Sequence, residues 1–160
     1  MRNISFFLTT EQIKNRTKTV TRRLGWWKNL KNGKPLLKYG DFLQACRKCQ
    51  GLGKGGKIEK LCVIRVVSVY QHKLDELVNW NIGQEEVNKE GFPHMTPQQF
   101  VDFFCEANKC KPDIHVTRIE FEYIEHIAPI FDIEGENHTM IKINKGGYNQ
   151  SGQTVFMEFQ

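Results

Sequence analysis

Short apolar stretches, alternating or continuous and separated by glycine, proline and asparagine breaks, run along the chain and predict more strand than helix. Ile4 to Leu8 reads as a strand. Thr9 or Thr10 then caps a brief helix through Arg16, with Gln12 spaced for a capping box on Thr9. The block Arg16-Thr17-Lys18-Thr19-Val20-Thr21-Arg22-Arg23 reads as the next strand, ending at Leu24-Gly25. Trp26 to Pro35 is a loop, and Tyr39-Gly40-Asp41 is a turn that launches a strand from Phe42 to Cys46. Gln50 to Gly56, rich in glycine, is a further loop. The strongest strand signal is Ile58 to Tyr70, above all Cys62-Val63-Ile64-Arg65-Val66-Val67-Ser68-Val69.

Leu74 to Asn79 and Gly83 to Lys89 predict short helices. Thr96-Pro97-Gln98-Gln99 combines an N-cap threonine, an N1 proline and an N3 glutamine, and Phe100, Val101, Phe103, Phe104 and Ala107 then form one apolar face. That helix stops before Pro112. Val116 to Tyr123 alternates, with Ile119, Phe121 and Tyr123 expected in the core and Arg118, Glu120 and Glu122 outward. Two more strands are expected in the tail, Thr139–Ile143 and Thr154–Phe159, with turns at Gly146-Gly147 and Ser151-Gly152 between them. No repeat or linker divides the chain. The sum is an α+β protein: a small, partly open β-barrel with short helices packed on it.

A chain of 160 residues is long enough to bury a core without disulfides or metals. The net charge of +5 conceals a division. Residues 1–60 hold 15 Lys/Arg against the three acids Glu11, Asp41 and Glu59, a balance of +12, whereas residues 61–160 balance at −7. Such asymmetry predicts one electropositive face suited to phosphates. No apolar run approaches the roughly 20 residues that span a bilayer. The odd count of 5 cysteines and the absence of a signal-peptide pattern lead to the expectation of reduced thiols in a cytosol.

Candidate chemistry narrows quickly. Cys46-x-x-Cys49 with Cys62 and His72 could be written as a zinc set, but a zinc ribbon needs a second close pair, so no metal is expected. Cys105 and Cys110 read as packing or helix-end residues. The five histidines stand at no nucleophile spacing, and Gly51-Leu52-Gly53-Lys54-Gly55-Gly56 lacks the strand–loop–helix context of a phosphate loop. What remains is the basic block, which is too cationic on both faces to be ordinary core. Glu90, in the tight connection Glu90-Gly91-Phe92-Pro93-His94-Met95, is its candidate counterpart. A lysine enclosed with a carboxylate has a tunable pKa and can serve as base or nucleophile.

The pattern Lys18-Thr19-Val20-Thr21-Arg22-Arg23, then Gly40-Asp41, Ile64-Arg65-Val66-Val67-Ser68-Val69, Glu90-Gly91-Phe92, Met95-Thr96-Pro97 and Val116-Thr117-Arg118-Ile119-Glu120-Phe121 resembles the ASCH domain family of the PUA-like superfamily. The likeness runs from about Ile4 to Tyr123, with very similar segments in phage and prophage proteins. It implies an ASCH/PUA-like domain over residues 1–125, and leaves 126–160 as an extension expected to form a β-hairpin on the same domain. It implies a cytoplasmic setting, bacterial or phage-infected, and a cleft for RNA or a modified nucleoside. No cofactor is implied. Small bacterial members of the family hydrolyse the acetyl amide of N4-acetylcytidine with a Lys, a Thr and a Glu. By position these are Lys18, Thr21 and Glu90 here, the lysine activating the nucleophile, the threonine positioning it or the substrate and the glutamate shuttling a proton. Arg22, Arg23, Trp26, Lys54 and Lys57 are then expected to bind the nucleoside or its phosphates. A non-catalytic module binding RNA or a protein, and a ribonuclease, are the alternatives. The basic insertion Arg47–Lys60, the Trp26-Trp27 pair and the tail depart from the family pattern. Lys18 and Thr21 also fall on opposite faces of an ideal strand, so their meeting in one cleft requires a twist or bulge.

Overall fold

A computed structural model of the chain describes residues 1–29, 31–126, 130–131, 137–138 and 141–143, those from 125 onward as backbone only. The chain divides into two compact units, Met1–Glu122 and Tyr123–Gln160. In the first, strands β1 (Arg2–Ser5), β2 (Val20–Arg23), β3 (Phe42–Cys46), β4 (Lys60–Lys73) and β5 (His115–His126, shared with the second unit) form a sheet of order β1-β3-β4-β5-β2. β1 runs parallel to β3, while β3 and β4, and β2 and β5, are antiparallel. The curled mixed sheet is a half-barrel, partly open because β1 and β2 lie at its opposite edges and do not pair with each other. Helices α1 (Thr10–Lys14), α2 (Glu76–Asn79), α3 (Gly83–Lys89) and α4 (Pro97–Asn108) accompany it. None of the described helices is long and apolar enough to cross a membrane.

In the second unit the end of β5 pairs antiparallel with β8 (Ile141–Ile143), and β6 (Ile130–Phe131) pairs antiparallel with β7 (Asn137–His138). The expected strand Thr154–Phe159 lies outside the described residues.

The α4 expectation holds in detail. Thr96 Oγ1 accepts from the Gln99 amide, Gln99 Oε1 accepts from the Thr96 amide, and Pro97 fills N1. The helix ends at Lys109 in left-handed conformation, before Pro112. Its Phe100, Val101 and Phe104 pack with Leu74, Leu77, Val87 and Val116 into one buried cluster.

Four local expectations are corrected. β1 ends at Ser5, because Phe6 leaves the extended region and Phe7–Thr9 form a 3₁₀ turn. Thr9 makes no capping bond; Thr10 uses its hydroxyl to bond the Phe6 carbonyl at 2.9 Å, and α1 stops at Lys14. Arg118 does not point outward but is buried, as is Ile119, because β5 is covered on both faces there. Lys18 is not part of β2. Arg16 sits at φ 60°, and the Thr17 and Lys18 amides both bond the Gln12 carbonyl, so the block enters through a turn and becomes strand only at Val20.

α3 ends in a Schellman motif: the Gly91 amide bonds the Asn88 carbonyl at 2.9 Å and the Phe92 amide bonds the Val87 carbonyl at 3.2 Å. Gly91 has φ +91°, and a Cβ there would lie 2.7 Å and 2.9 Å from Gln12 side-chain carbons and 3.4 Å from the Lys18 Cβ. Its bare backbone thus lets the Lys18 segment reach the end of α3, where the Thr19 amide bonds the Lys89 carbonyl at 2.8 Å. Gly91→Ala is expected to cost about 1–3 kcal/mol, read as a Tm several degrees lower in thermal denaturation. A variant as stable as the parent would show that this approach is not a constraint.

Candidate functional site

The turn before β2 and the end of α3 bring Lys18 and Glu90 together. Lys18 Nζ donates to Glu90 Oε2 at 2.5 Å and to the Glu90 carbonyl at 2.8 Å, the two side chains being 3% and 4% exposed. Glu90 is the C-cap of α3. Its other oxygen accepts from Arg22 Nη1 at 3.0 Å.

Arg22 is itself held on every side. Nη2 donates to Glu86 Oε2 at 2.6 Å and Nε to His72 Nε2 at 3.0 Å. The His72 ring packs 4.7 Å from Trp80, and its Nδ1 donates to the Lys73 carbonyl at 2.7 Å, which leaves Nε2 as the acceptor. Glu86 also takes two bonds from Arg118, Nε to Oε2 at 2.6 Å and Nη2 to Oε1 at 2.8 Å.

Titration follows from these contacts. Burial is the largest influence on Lys18 and pushes its ammonium below the usual 10.5; Glu90 opposes this, while Arg23 and Arg22 add to it. Burial alone would raise the Glu86 carboxyl, but the bonds from Arg118 and Arg22 outweigh it and bring the pKa down to about 2. Burial, joined by Arg22, lowers His72, and burial brings Arg23 down to about 10 against the pull of Glu90 and Cys49.

This pair opens on a cavity of about 260 Å³. Lys18, Thr21, Arg22, Arg23 and Glu90 line its polar part, and Phe6, Phe92, Phe100, Phe103 and Phe104 much of its apolar part. Phe7 and Leu8, both more than half exposed, also line it. Arg23 Nε donates to Thr21 Oγ1 at 3.2 Å, Nη2 bonds the Ser5 carbonyl, and the guanidinium lies 5.0 Å from the Phe6 ring centroid. Because Lys18 precedes the strand, Thr21 and Lys18 line one cavity without a bulge in β2.

The other expected binding residues lie elsewhere. Trp26 is half-buried, Lys54 and Lys57 are exposed, and none of the three lines the cavity. Glu86, Arg118 and His72 escaped notice as a group. Glu86 precedes Glu90 by one helical turn, so the i, i+4 spacing was the available signal. Among the described residues Cys46, Cys49, Cys62 and His72 form no group of three or more side chains placed to hold a metal ion, and His72 accepts from Arg22 Nε. The α4 phenylalanines expected as core also form cavity wall.

No family model and no curated protein matches the sequence. Among solved structures, the fold is similar to an ASCH domain from Lactobacillus crispatus JV V101, with 14% identity and a TM-score of 0.46 over 76% of this chain and 78% of that one. It is similar to protein EF3133 of Enterococcus faecalis V583, of family DUF984, with 18% identity and a TM-score of 0.49 over 72% and 66%. It is also similar to the hypothetical protein PH0355, with 17% identity and a TM-score of 0.48 over 76% and 95%.

Two outcomes follow for stability. Glu90→Gln removes the carboxylate that Lys18 and Arg22 share and should cost about 3–5 kcal/mol in urea unfolding, whereas Lys18→Met leaves Glu90 paired with Arg22 and should cost clearly less. Equal losses would contradict the bridging role of Glu90. Glu86 stays ionised in the fold down to about 2 but titrates near 4.5 when unfolded. Below 4.5 the unfolded chain therefore binds a proton that the fold does not, and stability should fall as pH drops from 4.5 toward 2. Glu86→Gln should flatten that slope; an unchanged slope would place the acid sensitivity elsewhere.

Proposed function

We propose that the chain is an ASCH-type amidohydrolase whose cavity holds an N-acylated nucleobase of the N4-acetylcytidine kind. The observation that carries this reading is the buried Lys18–Glu90 contact on the wall of a phenylalanine-lined cavity, beside Thr21. A flat heteroaromatic ring suits the aromatic wall, with its polar edge toward the charged groups. Lys18 is the general base: its depressed pKa makes the neutral amine accessible, and Nζ takes a proton from water as the water oxygen bonds to the acyl carbon. Thr21, its oxygen held by Arg23, positions that water or the carbonyl, and the Arg23 guanidinium offsets charge developing on the carbonyl oxygen. The C–N bond then breaks as the proton held between Lys18 and Glu90 passes to the leaving nitrogen. The products are a carboxylic acid and the free exocyclic amine.

A second reading, a module that binds single-stranded RNA without chemistry, rests on the cations of residues 1–60. They are exposed apart from Lys18, Arg22 and Arg23, with Glu11 and Glu59 the exposed acids beside them. Its affinity would fall steeply with salt, and a flat response would discard it.

For the hydrolase, cytidine release from N4-acetylcytidine should be measurable in the parent and lower by about a hundredfold or more in Lys18→Ala and Glu90→Ala. Turnover should rise with pH along a limb lying below the ordinary lysine value of 10.5, since the base is the neutral amine. No turnover, or turnover indifferent to both substitutions, would remove this reading.

A further inference from the structure

Arg22 of β2 and Arg118 of β5 lie directly opposite in register, and both are buried. Two like charges facing each other across a sheet repel, more strongly where water is absent. The Glu86 carboxylate stands between them, accepting 2.6 Å bonds from both on Oε2 and a further 2.8 Å bond from Arg118 on Oε1. Glu86 is 2% exposed and does not line the cavity, so it has no route to a bound molecule except through another residue.

That residue is Arg22. Its guanidinium spans the two carboxylates of α3, Nη2 on Glu86 and Nη1 on Glu90. Arg118 is braced in turn by Glu120 at 2.9 Å and Ser68 at 3.2 Å, with its guanidinium 5.1 Å from the Tyr70 ring centroid. The chain of contacts therefore runs from β5 to the cavity wall without a gap.

We propose that Glu86 is the positioning residue of this cavity: through Arg22 it holds the Glu90 carboxylate against Lys18 and balances the cationic charge behind them. The proposal rests on reading Lys18 and Glu90 as the reacting pair. Lys18 faces Glu90 from α3 and Arg22 and Arg23 from β2. Glu86 faces Arg22 and Arg118, with Lys89 of its own helix 3.9 Å away. His72 and Tyr70 of β4 and Glu120 of β5 complete the surroundings of the two guanidiniums. Removing the Glu86 charge leaves Arg22 to Glu90 and Arg118 to Glu120, with one carboxylate fewer between two facing guanidiniums. The excess positive charge then disfavours the Lys18 ammonium, which loses its proton at lower pH.

The test is an NMR titration of the Lys18 side chain in ¹³C,¹⁵N-lysine-labelled protein, with Lys18→Met supplying the assignment. In Glu86→Gln the Lys18 midpoint should fall by about one unit, which is about tenfold in neutral amine at a given pH below it. Because Glu86→Gln alone removes a carboxylate shared by two buried arginines, the paired variant Glu86→Gln/Arg118→Met is measured beside it, and its midpoint should fall by less, since a positive charge leaves with the negative one. With acylated nucleoside, turnover should drop by up to about a hundredfold and its rising limb should move in the same direction. A folded variant whose Lys18 midpoint matches the parent would overturn the proposal, since lost stability alone leaves that midpoint in place. If the parent hydrolyses no acylated nucleoside, the hydrolase reading fails, while the titration still decides whether Glu86 acts on Lys18.

Discussion

A ladder of buried charges, Lys18–Glu90–Arg22–Glu86–Arg118, is the constraint on which the rest of this structure depends. It joins the turn before β2, strand β2 itself, both ends of one helical turn of α3 and strand β5. Each ion costs several kcal/mol to remove from water, and that cost is offset only when geometry and hydrogen bonds are nearly complete. Here they are nearly complete: both oxygens of each glutamate are occupied, and Arg22 donates from Nε, Nη1 and Nη2. An apolar interior of the same shape could be as stable. The ladder is better understood as the means by which a half-barrel holds charge at the wall of an otherwise phenylalanine-rich cavity.

Backbone details serve the same end. The Schellman motif at Gly91 ends α3 at Glu90, its C-cap, whose carboxylate is buried against Lys18 and Arg22. The left-handed Arg16 swings the chain so that Lys18 arrives from the side rather than along a strand. Thr19 bonds the carbonyl of Lys89 and offers its own carbonyl to the Phe121 amide, which ties the end of α3 to β5 across the lysine segment. Small backbone choices of this kind set an amine within 2.5 Å of a carboxylate, and a shift of an ångström would separate them.

The elements themselves were largely readable. The β-branched run of β4 and the Thr96-Pro97-Gln98-Gln99 start of α4 each carry a local physical signal, and each formed where that signal placed it. Lys18, Thr21, Arg22, Arg23 and Glu90 were recognisable as one candidate group, and they line one cavity. Trp26, Lys54 and Lys57 were attractive on residue type alone, but nothing local says whether a loop side chain reaches a cleft. Strict alternation assigns Arg118 to solvent, but β5 is covered on both faces at that point.

The sequence by itself determined the order of the strands and helices as far as β5, the α+β class, the cationic first half and the presence of a lysine–glutamate candidate, because periodicity, capping and charge are properties of neighbouring residues. Only the tertiary structure decided that Lys18 lies outside the strand, that Glu86 stands between two opposed arginines, and that the α4 phenylalanines face a cavity. Those facts depend on residues 32 to 72 positions apart meeting in a medium that excludes water. The energy of a charge there is set by its partners in space and not by its neighbours in the chain.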